Sequence, residues 1–133
     1  MKIVINKCRG GYSLSDTAIE RYAELAGIHL YTHRGTFGPV FLTSPVEEYL
    51  ETFEEERHAA HFKGFQKSNA MIFQIDDVER TDPILIQVVE ELGNIAGGRF
   101  ADLKIIKIPD DVDWYIEEDG GRESVHEIHR IWQ

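Results

Sequence analysis

The most informative stretch of this chain is residues 1–15, which read MKIVINKCRGGYSLS. The apolar run 3–5 predicts a β-strand. The glycine pair 10–11 follows, and glycine is favoured where a backbone turns sharply or approaches another segment closely. Ser13 and Ser15 then precede residues of helical spacing, where an N-cap is expected. The stretch therefore predicts a strand, a tight turn and a capped helix.

Composition limits the classes of partner that the chain can bind. Its 133 residues, 42% of them hydrophobic, suit a single domain over residues 1–133. The net charge of -10 argues against duplex nucleic acid and against an anionic membrane, although a local group of arginines can still hold a small anion. Cys8 is the only cysteine, which excludes an internal disulfide and fits a reducing compartment. The N-terminal residues lack the apolar core of a signal peptide, so we expect a cytosolic protein.

Strand and helix patterns alternate along the chain and predict an α+β fold. Several connections are short enough for hairpins, which favours a mixed or antiparallel sheet with two or three helices packed on it. Two helix starts combine a capping residue with proline, at 44–45 and 82–83. The last segment, 123–132, fits neither strand nor helix cleanly. The predicted strands are 2–8, 29–32, 40–43, 70–75, 103–108 and 112–117, and the predicted helices are 15–26, 44–61 and 83–92.

Few residues are arranged for catalysis or metal binding. His58 with His61, and His126 with His129, lie three apart, and such pairs can share a zinc ion on one helical face. The second pair is one residue short of the zinc-protease spacing, so histidines facing solvent or a partner are favoured over a metal site. The turn 10–13 precedes a helix N-terminus but lacks the lysine of a phosphate loop, so a plain turn is favoured there. We expect no catalytic residue, no metal and no cofactor.

Arginines beside flexible backbone are the residues best suited to hold a ligand. Arg80 directly precedes a helix start, while Arg99 and Arg122 each follow a pair of glycines. Guanidinium groups bind phosphate oxygens in pairs, and aromatic rings stack on nucleobases. The alternative is that these arginines pair with the abundant acidic side chains, with Trp114 in the core and Trp132 anchoring the C-terminal residues.

Six motifs, spread over nearly the whole chain, carry a resemblance to known proteins: 1–15 with its Cys8-x-Gly10-Gly11 turn, Arg80-Thr81-Asp82-Pro83, Val88-Val89-Glu90-Glu91-Leu92-Gly93, Leu103-Lys104-Ile105, Ile108-Pro109-Asp110-Asp111-Val112 and His129-Arg130-x-Trp132. They resemble motifs of a family of small phage-encoded proteins. The chain is similar to one branch of that family, the first type of Thoeris anti-defence protein. Arg9 departs from the pattern, because an aromatic residue is expected there, and the segment 57–69 has no counterpart.

The resemblance implies a molecular sponge that acts in the cytoplasm of the infected bacterial host. Such proteins bind the glyco-cyclic ADP-ribose signals made by bacterial TIR-domain enzymes and leave them intact, which blocks Thoeris immunity. Some also sequester cyclic oligonucleotides at a separate site, which would block CBASS-type immunity. The resemblance further implies a homo-oligomer built from dimers, with a hexamer as one form and ligand pockets at subunit boundaries.

Residue type and placement then suggest which side chains touch the signal. Arginines would take the phosphates, Phe100 or Trp132 would stack on the base, and Asn94 would bind a base edge or ribose. Two other functions stay open: a hydrolase of a nucleotide signal with a histidine or carboxylate base, and an inhibitor that binds a host protein through the acidic helix 47–56. The candidate ligand-binding residues are Arg80, Asn94, Arg99, Phe100, Arg122, Arg130 and Trp132.

Overall fold

The computed structural model describes residues 1–35, 38–57 and 68–128. These residues form three α-helices and six β-strands, together with short 3₁₀ helices and loops. The strands are β1 (Lys2–Asn6), β2 (Tyr31–Gly35), β3 (Gly38–Leu42), β4 (Leu103–Lys107), β5 (Trp114–Asp119) and β6 (Arg122–Glu127). The helices are α1 (Asp16–Ala26), α2 (Val46–Arg57) and α3 (Pro83–Leu92). The strands pair antiparallel and two at a time, as β1 with β4, β2 with β3 and β5 with β6. The predicted α+β class is therefore confirmed.

The chain divides into two compact units. The first combines Met1–Ala26 with Ile75–Gln133, and the second is Gly27–Gln74. Units defined by their internal contacts can still belong to one domain, so the single domain over 1–133 stays a prediction. The described candidate residues for ligand binding all belong to the first unit.

Strand β1 lies at the heart of the first unit. Ile3, Val4 and Ile5 are fully buried in succession, so both faces of this strand are covered, unlike a strand with one face in water. Helix α3 packs against β1, β4 and α1. Its buried side chains include Leu85 and Val88, spaced three apart as a single apolar stripe requires. The end of β1 is therefore held firmly where the following turn begins.

Local capping chemistry fixes the helix starts of the first unit. The Asp82 Oδ1 atom accepts hydrogen bonds from the backbone N–H groups of Ile84 (2.8 Å) and Leu85 (3.3 Å), as predicted for the start of α3. The Ser15 hydroxyl oxygen likewise accepts from the backbone N–H of Ala18 at 3.1 Å. The predicted helices 15–26 and 83–92 are confirmed to within one residue.

The second unit confirms a predicted hairpin and corrects a predicted strand. Strands β2 and β3 pair in register around the turn that the loop at 34–39 suggested. The predicted strand 70–75 is wrong, because residues 69–71 and 75–77 form short 3₁₀ helices. Within this apolar run only Ile72 makes an isolated bridge, to Leu42. The run therefore forms a few backbone hydrogen bonds with β3 and the residue after it, but no continuous ladder. Helix α2 is described to Arg57, and its predicted continuation to 61 lies outside the described residues.

The segment 123–132, for which the sequence favoured neither type, begins as a strand. Strands β5 and β6 form a hairpin closed by the glycine pair 120–121, in which Asp119 pairs with Arg122 and Trp114 with Glu127. Strand β5 starts two residues later than predicted, at Trp114. Within the described ranges, no helix has the length and apolar character needed to cross a bilayer.

Candidate functional site

Asn6, the last residue of β1, joins three segments of the first unit. It is fully buried, and its Nδ2 donates hydrogen bonds to the carbonyl oxygens of Cys8 (2.6 Å) and Gly121 (2.8 Å). Its Oδ1 accepts from the backbone N–H groups of Cys8 (3.1 Å) and Asp102 (2.9 Å). One side chain therefore holds the turn after β1, the turn between β5 and β6, and the start of β4 in a fixed arrangement.

Two glycines allow the backbones of these turns to touch. A Cβ atom on Gly121, which has a φ of +93°, would overlap the carbonyl oxygen of Arg9 and lie 2.8 Å from the backbone nitrogen of Gly11. A Cβ atom on Gly10 would overlap the backbone and Cβ of Phe100. Only glycine permits both approaches, so the pattern of glycine pairs in the sequence marks real close contacts.

Arg80 and Glu123 form an ion pair that closes one side of this junction. The guanidinium donates to both carboxylate oxygens, from Nη1 at 2.7 Å and from Nη2 at 2.9 Å. Nη1 also donates to the Val4 carbonyl oxygen at 3.2 Å, and the Arg80 Cζ lies 3.5 Å from the centre of the Tyr12 ring. The Glu123 side chain is only 8% exposed, so this pair is a bidentate bond inside the protein rather than a surface contact.

The surroundings shift the pKa values of both groups and of the tyrosine beside them. Burial alone would raise the pKa of the Glu123 carboxyl, but hydrogen bonds from Arg80 and from the Asn6 N–H, with the Arg80 charge, lower it. Burial raises the pKa of Tyr12 to about 12, against the opposing effect of the Arg80 charge. The Tyr12 hydroxyl is buried without a hydrogen-bond partner among the described residues. Glu123 is thus charged and Tyr12 neutral at physiological pH.

Next to this pair lies an open cleft of about 220 Å³, which we call the basic cleft. Its lining residues come from the end of β1, the turn after it and the β5–β6 hairpin: Lys7, Arg9, Asp119, Arg122, Glu123 and Ser124. Three of these side chains are cationic, and Arg80 already neutralises the Glu123 carboxylate. Among the described lining residues Asp119 is left as the single opposing charge, so the lining is locally positive in a chain whose net charge is -10.

The three cations of the cleft differ from most other basic side chains of the described chain. Lys7, Arg9 and Arg122 form no ion pair with any described residue. Elsewhere basic groups are largely paired, as in Lys2–Glu90, Arg21–Glu91, Arg57–Glu54, Arg80–Glu123 and Lys104–Asp102. Three cations that have no ion pair within the described part of the chain and surround one concave surface can bind an anion, and guanidinium forks suit phosphate oxygens in particular.

A polar cluster continues from the cleft along the same face of the hairpin. The Ser124 Oγ lies 2.7 Å from the Nε2 of His126, and the Glu117 Oε2 lies 3.1 Å from the same Nε2. In a catalytic triad the acid contacts the other ring nitrogen and leaves Nε2 for the nucleophile. Here both partners meet at one nitrogen, which suits a hydrogen-bonding surface better than an activated serine.

The predicted ligand-binding residues fall into separate places. Arg122 lines the basic cleft, whereas the predicted ligand contact Arg80 is engaged with Glu123. Arg99 lies over the ring of Phe100, 5.2 Å from its centre, both residues are exposed, and Phe100 makes the close approach to Gly10 described above. Asn94 lies exposed in the short 3₁₀ helix Gly93–Ile95, after α3, and does not line the cleft. Arg130 and Trp132 lie outside the described residues.

Sequence reasoning missed Lys7, Arg9 and Ser124. A signal for two of the cleft cations was present, since Arg9 directly precedes one glycine pair and Arg122 directly follows another. Glycine pairs that pack on each other bring their flanking side chains together, as Gly121 does with the Arg9 backbone. Ser124 could be placed only once the pairing of β5 with β6 was known.

The histidine pairs contribute no metal site to the described part of the chain. In residues 1–35, 38–57 and 68–128, no group of three or more histidine, cysteine, aspartate or glutamate side chains could hold a metal ion. His58, His61 and His129 lie outside these ranges.

Comparison with known proteins adds no relative. No protein-family model, curated protein or solved structure matches the chain.

Proposed function

We propose that this protein binds a phosphorylated nucleotide signal in the basic cleft, namely a glyco-cyclic ADP-ribose, and sequesters it without cleaving it. The observation that carries the proposal is the convergence of Lys7, Arg9 and Arg122, none of them ion-paired with a described residue, on one concave surface. The identity of the signal rests on the motifs that resemble the Thoeris anti-defence family. The site of action would be the cytoplasm of the infected host.

Local charge outweighs the global charge at such a site. Ionic interactions between exposed groups are screened beyond about 8 Å at physiological ionic strength, so acids on distant surfaces act weakly on a ligand in the cleft. Near a protein surface, two opposite unit charges 4 Å apart attract by about 4 kcal/mol. Three cations can therefore hold a diphosphate even though the whole chain carries -10.

Sequestration requires slow dissociation more than fast binding. The homo-oligomer built from dimers that the resemblance implies would serve this requirement if a second subunit covered the cleft. Removing water from around the phosphates would strengthen each charge-assisted hydrogen bond. This assembly is part of the proposal.

One contact would also suit a second candidate, hydrolysis of the same signal, although Glu117 at the same His126 nitrogen leaves Ser124 poorly activated. Ser124 lines the cleft and its hydroxyl is within hydrogen-bond distance of the His126 imidazole, as a nucleophile and its base would be. The two functions predict different products. Protein incubated with the signal and then denatured by heat releases intact signal if it is a sponge, and cleaved signal if it is a hydrolase.

The binding proposal predicts a large effect from removing two cleft cations. In the double variant Arg9→Ala/Arg122→Ala, affinity for a glyco-cyclic ADP-ribose should fall at least 100-fold, because each lost charge-assisted contact costs about 1.5–3 kcal/mol. Isothermal titration calorimetry measures the affinity, and circular dichroism checks the fold. A matched control is Arg34→Ala/Lys107→Ala, which removes two other exposed cations that form no ion pair with a described residue. Equal affinities of the two double variants would refute the site.

A further inference from the structure

One face of the β5–β6 hairpin carries three cross-strand pairs in a chemical order. Asp119 lies opposite Arg122 at the turn, Glu117 opposite Ser124 in the middle, and Tyr115 opposite His126 at the far end. Residues directly opposite each other in an antiparallel pair project from the same face of the sheet. The contacts of His126 with Tyr115, Ser124 and Glu117 agree with this shared face.

The far end of this face is an aromatic platform, formed by Tyr115 and His126. The two rings are stacked, with centres 5.5 Å apart and planes inclined by 24°. Tyr115 nevertheless keeps 45% of its surface exposed. An exposed ring held rigidly by a second ring is a suitable surface for stacking a flat heterocycle.

The spacing between the platform and the basic cleft fits the parts of a nucleotide. Strands rise about 3.4 Å per residue, so His126 lies roughly 7 Å from Ser124 and roughly 14 Å from Arg122 along β6. Between the two ends stand the Ser124 hydroxyl and the Glu117 carboxylate, groups that hydrogen-bond to sugar hydroxyls. From the turn outward, the face thus offers cations, then polar groups, then a ring.

We infer that the nucleobase of the bound signal stacks on Tyr115, with its phosphates in the basic cleft and its ribose over Glu117 and Ser124. This inference rests on the proposed function and extends it from an anion site to a site that selects nucleotides. Of the two rings expected from the sequence, Phe100 already packs with the Arg99 guanidinium on a different loop, and Trp132 lies outside the described residues. Tyr115 is thereby a specificity-determining residue, because only a ligand with a base gains from it.

The test compares two probes, a glyco-cyclic ADP-ribose and inorganic pyrophosphate, which has no base. Stacking of one base changes affinity by about 5- to 150-fold. In Tyr115→Ala, affinity for the nucleotide should fall within that range while affinity for pyrophosphate stays the same. Tyr115→Phe should bind both probes like the wild type, since the ring remains. Phe53→Ala removes a ring of similar exposure (44%) in the second unit and serves as the matched control.

Each result has a distinct meaning. If wild-type protein binds neither probe, the proposed function fails and the inference falls with it. If the wild type binds and Tyr115→Ala keeps full affinity for the nucleotide, or loses affinity for both probes equally, the function stands and the inference is wrong. A loss confined to the nucleotide in Phe100→Ala but not in Tyr115→Ala would likewise overturn it.

Discussion

At the scale of single residues, the sequence allows Arg80 two roles, as a phosphate ligand or as the partner of an acidic side chain. The structure shows the second. The place of Arg80 before a helix start suggested a free guanidinium for phosphate. Its actual partner is Glu123, 43 positions away, and the pair ties β6 to the edge of β1. A sequence with 24 acidic residues offers too many such partners for the choice to be predicted. Glu123 stands between Arg122 and Ser124 in the chain, so its bond with Arg80 positions the cleft lining.

Removing Arg80 alone should be more harmful than removing the charge from both members of the pair. Arg80→Met leaves the Glu123 carboxylate nearly buried without its counter-ion and should lower the free energy of unfolding by roughly 3 kcal/mol. The double variant Arg80→Met/Glu123→Gln keeps an acceptor for the Asn6 N–H and should recover part of that loss. Urea denaturation measures both. A double variant no more stable than the single one would contradict this account of the pair.

At the scale of secondary-structure elements, helix boundaries could be predicted from local residues, whereas strands that depend on a distant partner could not. Helix α3 could be bounded from Asp82, Pro83 and Gly93 because capping and termination act within a few residues. The apolar run 70–75 was wrongly predicted as a strand, since a run that short does not show whether a partner strand is available. For 123–132 the sequence favoured no type, and β6 owes its strand form to the turn at 120–121 and to β5. The cleft followed from the same pairings and was only partly predicted.

The β5–β6 turn offers a direct test of backbone approach. Gly120 and Gly121 both have positive φ, at +59° and +93°, but only at Gly121 would a Cβ meet another backbone. Gly120→Ala should cost about 1–2 kcal/mol for its left-handed conformation. Gly121→Ala should cost clearly more and should also weaken ligand binding, because the turn must move away from Arg9. Thermal unfolding and titration of both variants measure this, and equal stabilities would show that the close approach carries no energy.

At the scale of the whole molecule, the charged groups that stabilise the fold differ from those to which we assign ligand binding. The chain carries an excess of acidic groups, yet several carboxylates are held by cations in the folded state. Hydrogen bonds from Arg21 and Gln87 lower the pKa of Glu91 from 4.5 to about 2, and the pKa of Glu123 is also lowered. These groups stabilise the fold only while they are ionised, whereas we assign the cleft cations to the proposed binding of a ligand.

The free energy of unfolding should therefore decrease as the pH falls through the acidic range. A carboxylate whose pKa is lower in the folded state contributes stability above its unfolded pKa and loses it as the pH falls. For Glu91 the loss should extend from about pH 4.5 down to about 2. Urea titrations at several pH values should show a falling midpoint across this range, with a shallower fall in Glu91→Gln. A midpoint that stays constant down to pH 3 would contradict the assignment.

The Asn6 junction has a consequence for how the protein is made. Asn6 is synthesised well before its partners Gly121 and Glu123, which lie 115 and 117 positions further along the chain. Strand β1 likewise cannot pair until β4 has been synthesised. A nascent chain must therefore keep its most buried strand unpaired until β4 has been made, and contacts of such long range fold slowly. Early translation products of this chain are the species that should need protection by chaperones.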